Sequence, residues 1–206
     1  ESDTCAKLRE MTNADEETLQ AAGPWGDSGN EMLYSVTYNN GVSKYALRKI
    51  PYVPRVLDVS AGIGIPYSEF AVFNTDATLL ERAEAYALSG QYDKAVNDIN
   101  AELSVFTKKK TQLTLDEIVD FYGSLAYYTP TKPTPKKALN PLFTIEKTTQ
   151  EPLLQCILQL RRLLTMHEGF RLQDVKRYGI TMYRRQVDVQ SNVTAVTDSM
   201  KTGDPR

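Results

Sequence analysis

Residues 78–103 read TLLERAEAYALSGQYDKAVNDINAEL, and the spacing of apolar residues in this stretch decides the fold class. Leu79, Ala83 and Tyr86 recur at i, i+4 and i+7, with Leu80 and Ala87 beside them, while Glu81, Arg82 and Glu84 are assigned to the opposite face. Gly90 ends this helix. A second stripe of Tyr92, Ala95, Val96, Ile99 and Leu103 follows, with Asp93, Lys94, Asn97 and Asp98 assigned outward. Two helices joined only by Ser89, Gly90 and Gln91 must lie antiparallel, because so short a connection reaches nowhere else. Small side chains at Ala83 and Ala95 predict the closest approach of the pair.

On the C-terminal side, residues 107–150 read as a polar insertion carrying Lys108-Lys109-Lys110, a short helix over 114–121, and the run Thr129-Pro-Thr-Lys-Pro-Thr-Pro135. That proline density excludes regular helix and predicts an extended surface excursion. A last long helix is predicted over 150–166 from the broad stripe of Leu153, Leu154, Ile157, Leu160, Leu163 and Leu164. Glu168 and Gly169 break it, and a short amphipathic helix over 170–178 stops at Gly179. Beyond Ile180 the chain shows one alternating segment near Val187 and Val189 and then becomes polar.

On the N-terminal side, Tyr34, Val36 and Tyr38 alternate with period two and meet Asn39-Asn40-Gly41, a tight-turn sequence, so a hairpin returning over 44–50 is predicted. Pro51, Pro54, Gly62, Gly64 and Pro66 then mark an irregular crossing. Its Gly62-Ile63-Gly64 lacks the third glycine and following helix of a dinucleotide-binding turn. Residues 1–30 are polar, with a Gly/Pro-rich loop at 23–29 and a short helix predicted over 15–22. The expected fold is mostly α: helical hairpins, a small β hairpin and long irregular loops.

Composition narrows the function classes. With 41% hydrophobic and 24% charged residues in 206, the chain is an ordinary globular sequence, and a net charge of -2 sets up no field that would gather nucleic acid. No apolar run reaches the ~18 residues that a membrane-spanning helix needs. Cys5 and Cys156 lie far apart without Cys or His at ligand spacing and read as ordinary thiols. His167, the one histidine, excludes a multi-histidine zinc site. No metal or cofactor is expected.

Two motifs carry a family resemblance. Gly90-Gln91-Tyr92-Asp93-Lys94-Ala95, preceded by Ala83, Ala85 and Tyr86 and followed by Ile99, resembles one tetratricopeptide helical hairpin. Leu80-Glu-Arg-Ala-Glu-Ala-Tyr86, coming after Gly62-Ile-Gly-Ile-Pro-Tyr67 and Phe73, resembles the stretch leading into the third repeat helix of the SusD/RagB family. Arg161-Arg162 followed by Glu168-Gly-Phe-Arg-Leu-Gln-Asp-Val-Lys-Arg-Tyr-Gly179 is similar to that family's C-terminal signature, with Tyr178 where Trp is common and Leu160 and Leu164 where acidic residues usually flank the arginine pair. The motifs stand in the family's order and cover roughly residues 60–180.

The resemblance implies a SusD-like fold, with residues 1–206 as the C-terminal portion of a longer protein: helical hairpin 76–104, loop insertion 107–150, C-terminal helices 151–179. It implies a lipoprotein on a Bacteroidetes-type outer-membrane surface, touching the membrane only through a lipid anchor outside this portion. Its partners would be an oligosaccharide or other nutrient ligand and a SusC-like TonB-dependent transporter. Such a protein binds and hands over without breaking bonds, so it is no enzyme and needs no cofactor. A tetratricopeptide-type scaffold for protein segments is the competing reading.

Sugars are held by aromatic faces together with amides and carboxylates that bond their hydroxyls. Trp25, in the Gly/Pro-rich loop with Asp27, Ser28 and Asn30 beside it, is one candidate site, against the alternative of a loop aromatic folded onto the core. Tyr127 and Tyr128, at the mouth of the proline-rich run, are a second. Tyr86, Tyr92 and Tyr178 sit on apolar faces and belong to the core. Glu168 and Asp174 form no glycosidase pair, since six residues of separation set no carboxylate geometry. Arg161, Arg162 and Arg171 are expected instead to pair with carboxylates in a buried network. With so few aromatic anchors, this portion by itself is expected to bind sugars only in the millimolar range, about -4 kcal/mol.

Overall fold

The computed structural model describes residues 21–31, 36–39, 42–47, 52–68, 73–132, 134–165, 169–188 and 193–201. In chain order its elements are β1 (Ala22–Gly23), β2 (Gly26–Asp27), α1 (Ser28–Glu31), β3 (Val36–Asn39), β4 (Val42–Leu47), β5 (Tyr52–Asp58), β6 (Ile63–Ser68), α2 (Thr75–Leu88), α3 (Tyr92–Phe106), α4 (Leu115–Ser124), α5 (Gln150–Leu164), α6 (Arg171–Arg177), β7 (Met182–Val187) and β8 (Val193–Met200). The described core is mostly α, and the strands pair as separate two-stranded antiparallel hairpins. The helix expected over 15–22 lies outside the described residues, apart from its last two positions, which are not helical.

The α2–α3 hairpin forms as its spacing predicts. Asn74 accepts a hydrogen bond from the Ala77 amide at 2.7 Å and caps the start of α2. Gly90, at φ 74°, ends it with the paired bonds of a Schellman motif, Gln91 N–H to Tyr86 C=O at 2.9 Å and Gly90 N–H to Ala87 C=O at 3.2 Å. Ala83 and Ala95 are both wholly buried. Ala95→Leu is therefore expected to overpack the contact and cost about 1 to 3 kcal/mol, seen as a lower urea midpoint, whereas Ala101→Leu on the exposed face of α3 leaves it unchanged.

Two residues of this hairpin are not where periodicity assigns them. Glu84 and Asp98, expected to face outward, are buried at 6% and 7% exposure. Each has a guanidinium to satisfy it. Asp98 takes a two-pronged bond from Arg82, Nε at 2.8 Å and Nη2 at 2.7 Å, across the hairpin.

Helix α5 is the centre of the fold: every residue except Arg162 is buried, and it packs against both α2 and α4. Its start is held by Glu146, whose carboxylate accepts from the Thr148 hydroxyl and the amides of Thr148, Thr149 and Gln150. Those bonds, the Thr148 hydroxyl first, depress the Glu146 carboxyl to about 2. A depressed folded-state value adds stability above the ordinary carboxyl range that is lost as the pH falls toward 2. Glu146→Gln is expected to flatten the acid limb of the melting-temperature profile over that window, leaving the slope above pH ~6 unaltered.

Within the insertion 107–150 the proline run 129–135 is non-helical and lies at the surface over its described residues, as expected, but the segments on either side of it are anchored. Leu113, Leu139 and Ile145 are buried in the main core. Side-chain amides pin its backbone: Asn100 bonds both the amide and the carbonyl of Leu113 at 2.8 Å, and Gln155 bonds the amide and carbonyl of Lys137. Within it α4 begins at a complete capping box of Thr114 and Glu117.

The β3–β4 hairpin is present, with register Val36↔Leu47, and its predicted turn lies partly outside the described residues. Two further hairpins replace expected loops. The crossing at 51–67 is the β5–β6 ribbon, with Pro54 opposite Pro66; in a two-stranded ribbon each strand has an unpaired side, and a proline whose nitrogen faces that side breaks no ladder. Asp58 closes its turn by accepting from the Ser60 amide and hydroxyl and the Ala61 amide. The polar tail beyond Ile180 is the β7–β8 hairpin, in which Met182 pairs with Met200. Strand β8 is exposed over nearly its whole length, so it shows no apolar alternation.

Candidate binding cleft

Behind the cleft lies a buried ionic cluster. Arg161 on α5 donates to Glu84 on α2 at 2.6 Å and contacts Asp174 on α6 at 2.9 Å. The Glu84 carboxylate also accepts from Arg177 Nε at 2.7 Å and from the Tyr178 hydroxyl at 2.6 Å. Burial works to raise the Glu84 carboxyl, yet the Arg161 guanidinium and the Tyr178 hydroxyl outweigh it and hold it below its ordinary value. Asp174 goes the other way: burial raises it, and Arg161 and Arg171 offset that only in part. The expected buried network is therefore real for Arg161 and weaker for Arg171, which stands 3.8 Å from Asp174. Sequence reading missed Glu84, Arg177 and the Tyr178 hydroxyl as members of it.

In front of this cluster opens a cleft of about 210 Å³. Its polar and aromatic lining comes mainly from α5, α6, β7 and the proline-rich loop. Helix α5 presents Gln155, Gln159 and Arg162, one stripe at i, i+4 and i+7; α6 presents Arg171 and Val175; β7 presents Tyr183 and Arg185. The proline-rich loop supplies Tyr128 and Lys137, and it is closed beneath them by the bond from Tyr128 N–H to Lys136 C=O at 2.7 Å.

Tyr128 organises the mouth. Its ring stacks on Tyr183 with centroids 6.0 Å apart and planes 24° apart, while the Lys137 ammonium sits 3.4 Å from its centroid and the Arg185 guanidinium 5.7 Å from it. The floor amides are committed to the scaffold: Gln159 accepts from the Tyr122 hydroxyl at 2.7 Å and donates to the Ala22 carbonyl at 3.1 Å. Arg171 is pushed down to about 10, by burial first and then by the neighbouring charge of Arg162.

Of the residues expected to bind ligand, Tyr128 alone lines this cleft. Trp25 is 2% exposed, in the core, with its indole N–H on the Ser28 hydroxyl at 3.1 Å, so its ring offers no face to a sugar. Asp27 is exposed on β2, and Asn30 belongs to α1, its side chain lying outside the described residues. Tyr127 is 43% exposed and faces elsewhere: its hydroxyl donates to Glu151 at 2.8 Å, Lys136 lies 4.5 Å from its ring centroid, and its phenol is pushed up to about 12 by burial and by Glu151. His167 and Glu168 lie outside the described residues. Tyr183 and Arg185 were missed because aromatic and cationic residues carry the period of β7 where a hydrophobic count looks for aliphatic ones, and Lys137 because it follows a proline run with no period to read.

Tyr178 is wholly buried, while Tyr86 and Tyr92 are partly buried against the core. Cys156 is a free, buried thiol, and burial raises its proton affinity well above an ordinary thiol's. Lys108 and Lys110 are exposed, and Lys109 pairs with Glu31 at 2.6 Å. Among the described residues, no group of three His, Cys, Asp or Glu is placed to hold a metal, and no helix is long and apolar enough to cross a membrane. Comparison of the chain with protein-family models, with curated proteins and with solved structures finds no match in any of the three.

Proposed function

We propose that this chain is the C-terminal portion of a SusD/RagB-type surface lipoprotein that captures an oligosaccharide or other nutrient and delivers it to a TonB-dependent outer-membrane transporter. One observation carries the reading: the two stretches that bear the resemblance, 80–86 and 161–179, meet at a single buried carboxylate. Glu84 from the first accepts from Arg161, Arg177 and Tyr178 of the second, across 77 to 94 residues of sequence. Glu84, Arg161, Asp174 and Arg177 are thereby spent on scaffold, and the ligand surface falls to the cleft beside them. Binding there is reversible association with aromatic and polar side chains, and no bond is broken.

The test uses the full-length parent in its native membrane. It is expected to co-purify with a transporter of the TonB-dependent class and to be cleaved by protease added to intact cells. Recovery in the cytoplasm, bound to a soluble protein assembly, would overturn this reading in favour of a tetratricopeptide-type scaffold.

A further inference from the structure

We propose that the β5–β6 ribbon is a self-association arm: its face carrying Arg55, Asp58, Ile63 and Ile65 stacks on the same face of a second copy of this chain about a twofold axis. The proposal is independent of the function proposed above. Every residue from Arg55 to Ile65 is exposed. Val56, Leu57, Ile63 and Ile65 are 44 to 57% exposed, and Val59 is 87% exposed. Among the described residues the two strands make their extensive contact only with each other. A two-stranded ribbon alone is marginally stable in water and gains stability when an apolar face is covered by further strands or a packed layer.

The pattern of the face says what covers it. Residues directly opposite in an antiparallel ribbon share a face, as do residues two apart on one strand. Ile63 and Ile65 therefore point the same way, with Arg55 opposite Ile65 and Asp58 opposite Ile63. Residues three apart on a regular strand would point to opposite faces, but the register shift between Val56 and Asp58 inserts one residue and returns Asp58 to the face of Arg55. The face thus has two levels about 7 Å apart, one with a cation beside an isoleucine and the other with an anion beside an isoleucine. Turned end for end and laid on itself, it sets Arg55 over the partner's Asp58, twice, and Ile65 over the partner's Ile63. A twofold axis produces this arrangement from identical chains. Asp58 can take part while still closing its turn, since the bonds from Ser60 and Ala61 all end on Oδ1. Stacked sheets lie ~10 Å apart, a gap that isoleucine side chains from two layers fill. So small a face gives a weak dimer, below the size class of a standard interface.

Sedimentation equilibrium of this chain, carried up to near-millimolar concentration, is the test, and a monomer–dimer equilibrium is expected. Ile65→Thr keeps a strand-favouring residue and should weaken the dimer roughly tenfold. Ile63→Thr/Ile65→Thr should abolish it at an unchanged melting temperature, since both positions are exposed. Arg55→Glu sets like charges over one another and should weaken the dimer about tenfold at low salt, the loss shrinking toward ~1 M salt. If the double variant unfolds, Arg55→Glu and Ile65→Thr carry the test. A chain that stays monomeric throughout overturns the proposal. So does a dimer that survives both isoleucine replacements, which lies on another surface, or one indifferent to Arg55→Glu, which joins by strand edges. Binding of a monomer to phosphatidylcholine vesicles, lost in the double variant, assigns the ribbon to a lipid surface and overturns it as well.

Discussion

Arg161→Ala is expected to lower the unfolding free energy by about 3 to 5 kcal/mol, because it removes the guanidinium that touches both buried carboxylates and leaves Asp174 with Arg171 only at 3.8 Å. Glu84 and Asp174 are 6% and 5% exposed, and Arg161 touches both. Arg177→Ala removes a second partner of Glu84, but that side chain is 53% exposed, so its loss is expected to cost no more than about 1 kcal/mol. The order of the two variants is therefore as informative as either size.

The pH dependence has a definite sign. In the native protein the Glu84 carboxyl is held below its ordinary value, so its contribution is present above that value and lost as the pH falls through it. Without Arg161 the largest of the interactions that lower it is gone, Arg177 and the Tyr178 hydroxyl alone remain on Glu84, and both carboxyls take up protons more readily. The deficit of Arg161→Ala should accordingly be largest near pH 7 and shrink toward pH ~4, measured by urea unfolding at the two values. Unchanged melting temperatures for both Arg161→Ala and Arg171→Ala would remove the buried network as a stabilising element.

Gly179→Ala is expected to cost about 3 kcal/mol. Gly179 follows α6 at φ 58°, a left-handed backbone that side chains with a Cβ adopt only under strain. Its face also lies against the Asn140 backbone: an added Cβ would run into the Asn140 carbonyl, whose own amide donates to the Tyr178 carbonyl at 2.7 Å. The clash cannot be relieved by rotating a side chain, because its partner is main chain. Gly90→Ala is the matched control. It has the same kind of backbone at φ 74°, but nothing lies within 4 Å of the added atom, so only the conformational cost of about 1 kcal/mol is expected. A Gly179→Ala variant no less stable than Gly90→Ala would show that the insertion is not anchored to α6 at Asn140.

The helices were legible because burial repeats with the helical period. Leu80, Ala83 and Ala87 on α2, Ala95, Ile99 and Leu103 on α3, and the leucines of α5 all mark faces that have to leave water. Short connectors and glycines such as Gly90 then dictate the α2–α3 turn, since local sterics need no knowledge of the rest of the chain. Trp25, Glu84 and the β7–β8 ribbon were decided differently. Whether an indole in a Gly/Pro loop turns to solvent or to core depends on whether a hydrophobic cavity lies beneath it. Whether a glutamate on a helix is exposed or buried depends on whether arginines 77 and 93 residues away arrive to compensate it.

The cleft shows the same division. Each wall is written locally as a short periodic run: Gln155, Gln159 and Arg162 at the helical period, Tyr183 and Arg185 at the strand period. What local patterning could not supply is that these runs face one another across Tyr128. Sequence alone determined the long helices α2, α3 and α5 and the turn at Gly90, because backbone sterics and apolar periodicity act over a few residues. Tertiary structure alone decided which charges meet, because electrostatic compensation and cleft shape act through space, between residues that the chain keeps far apart.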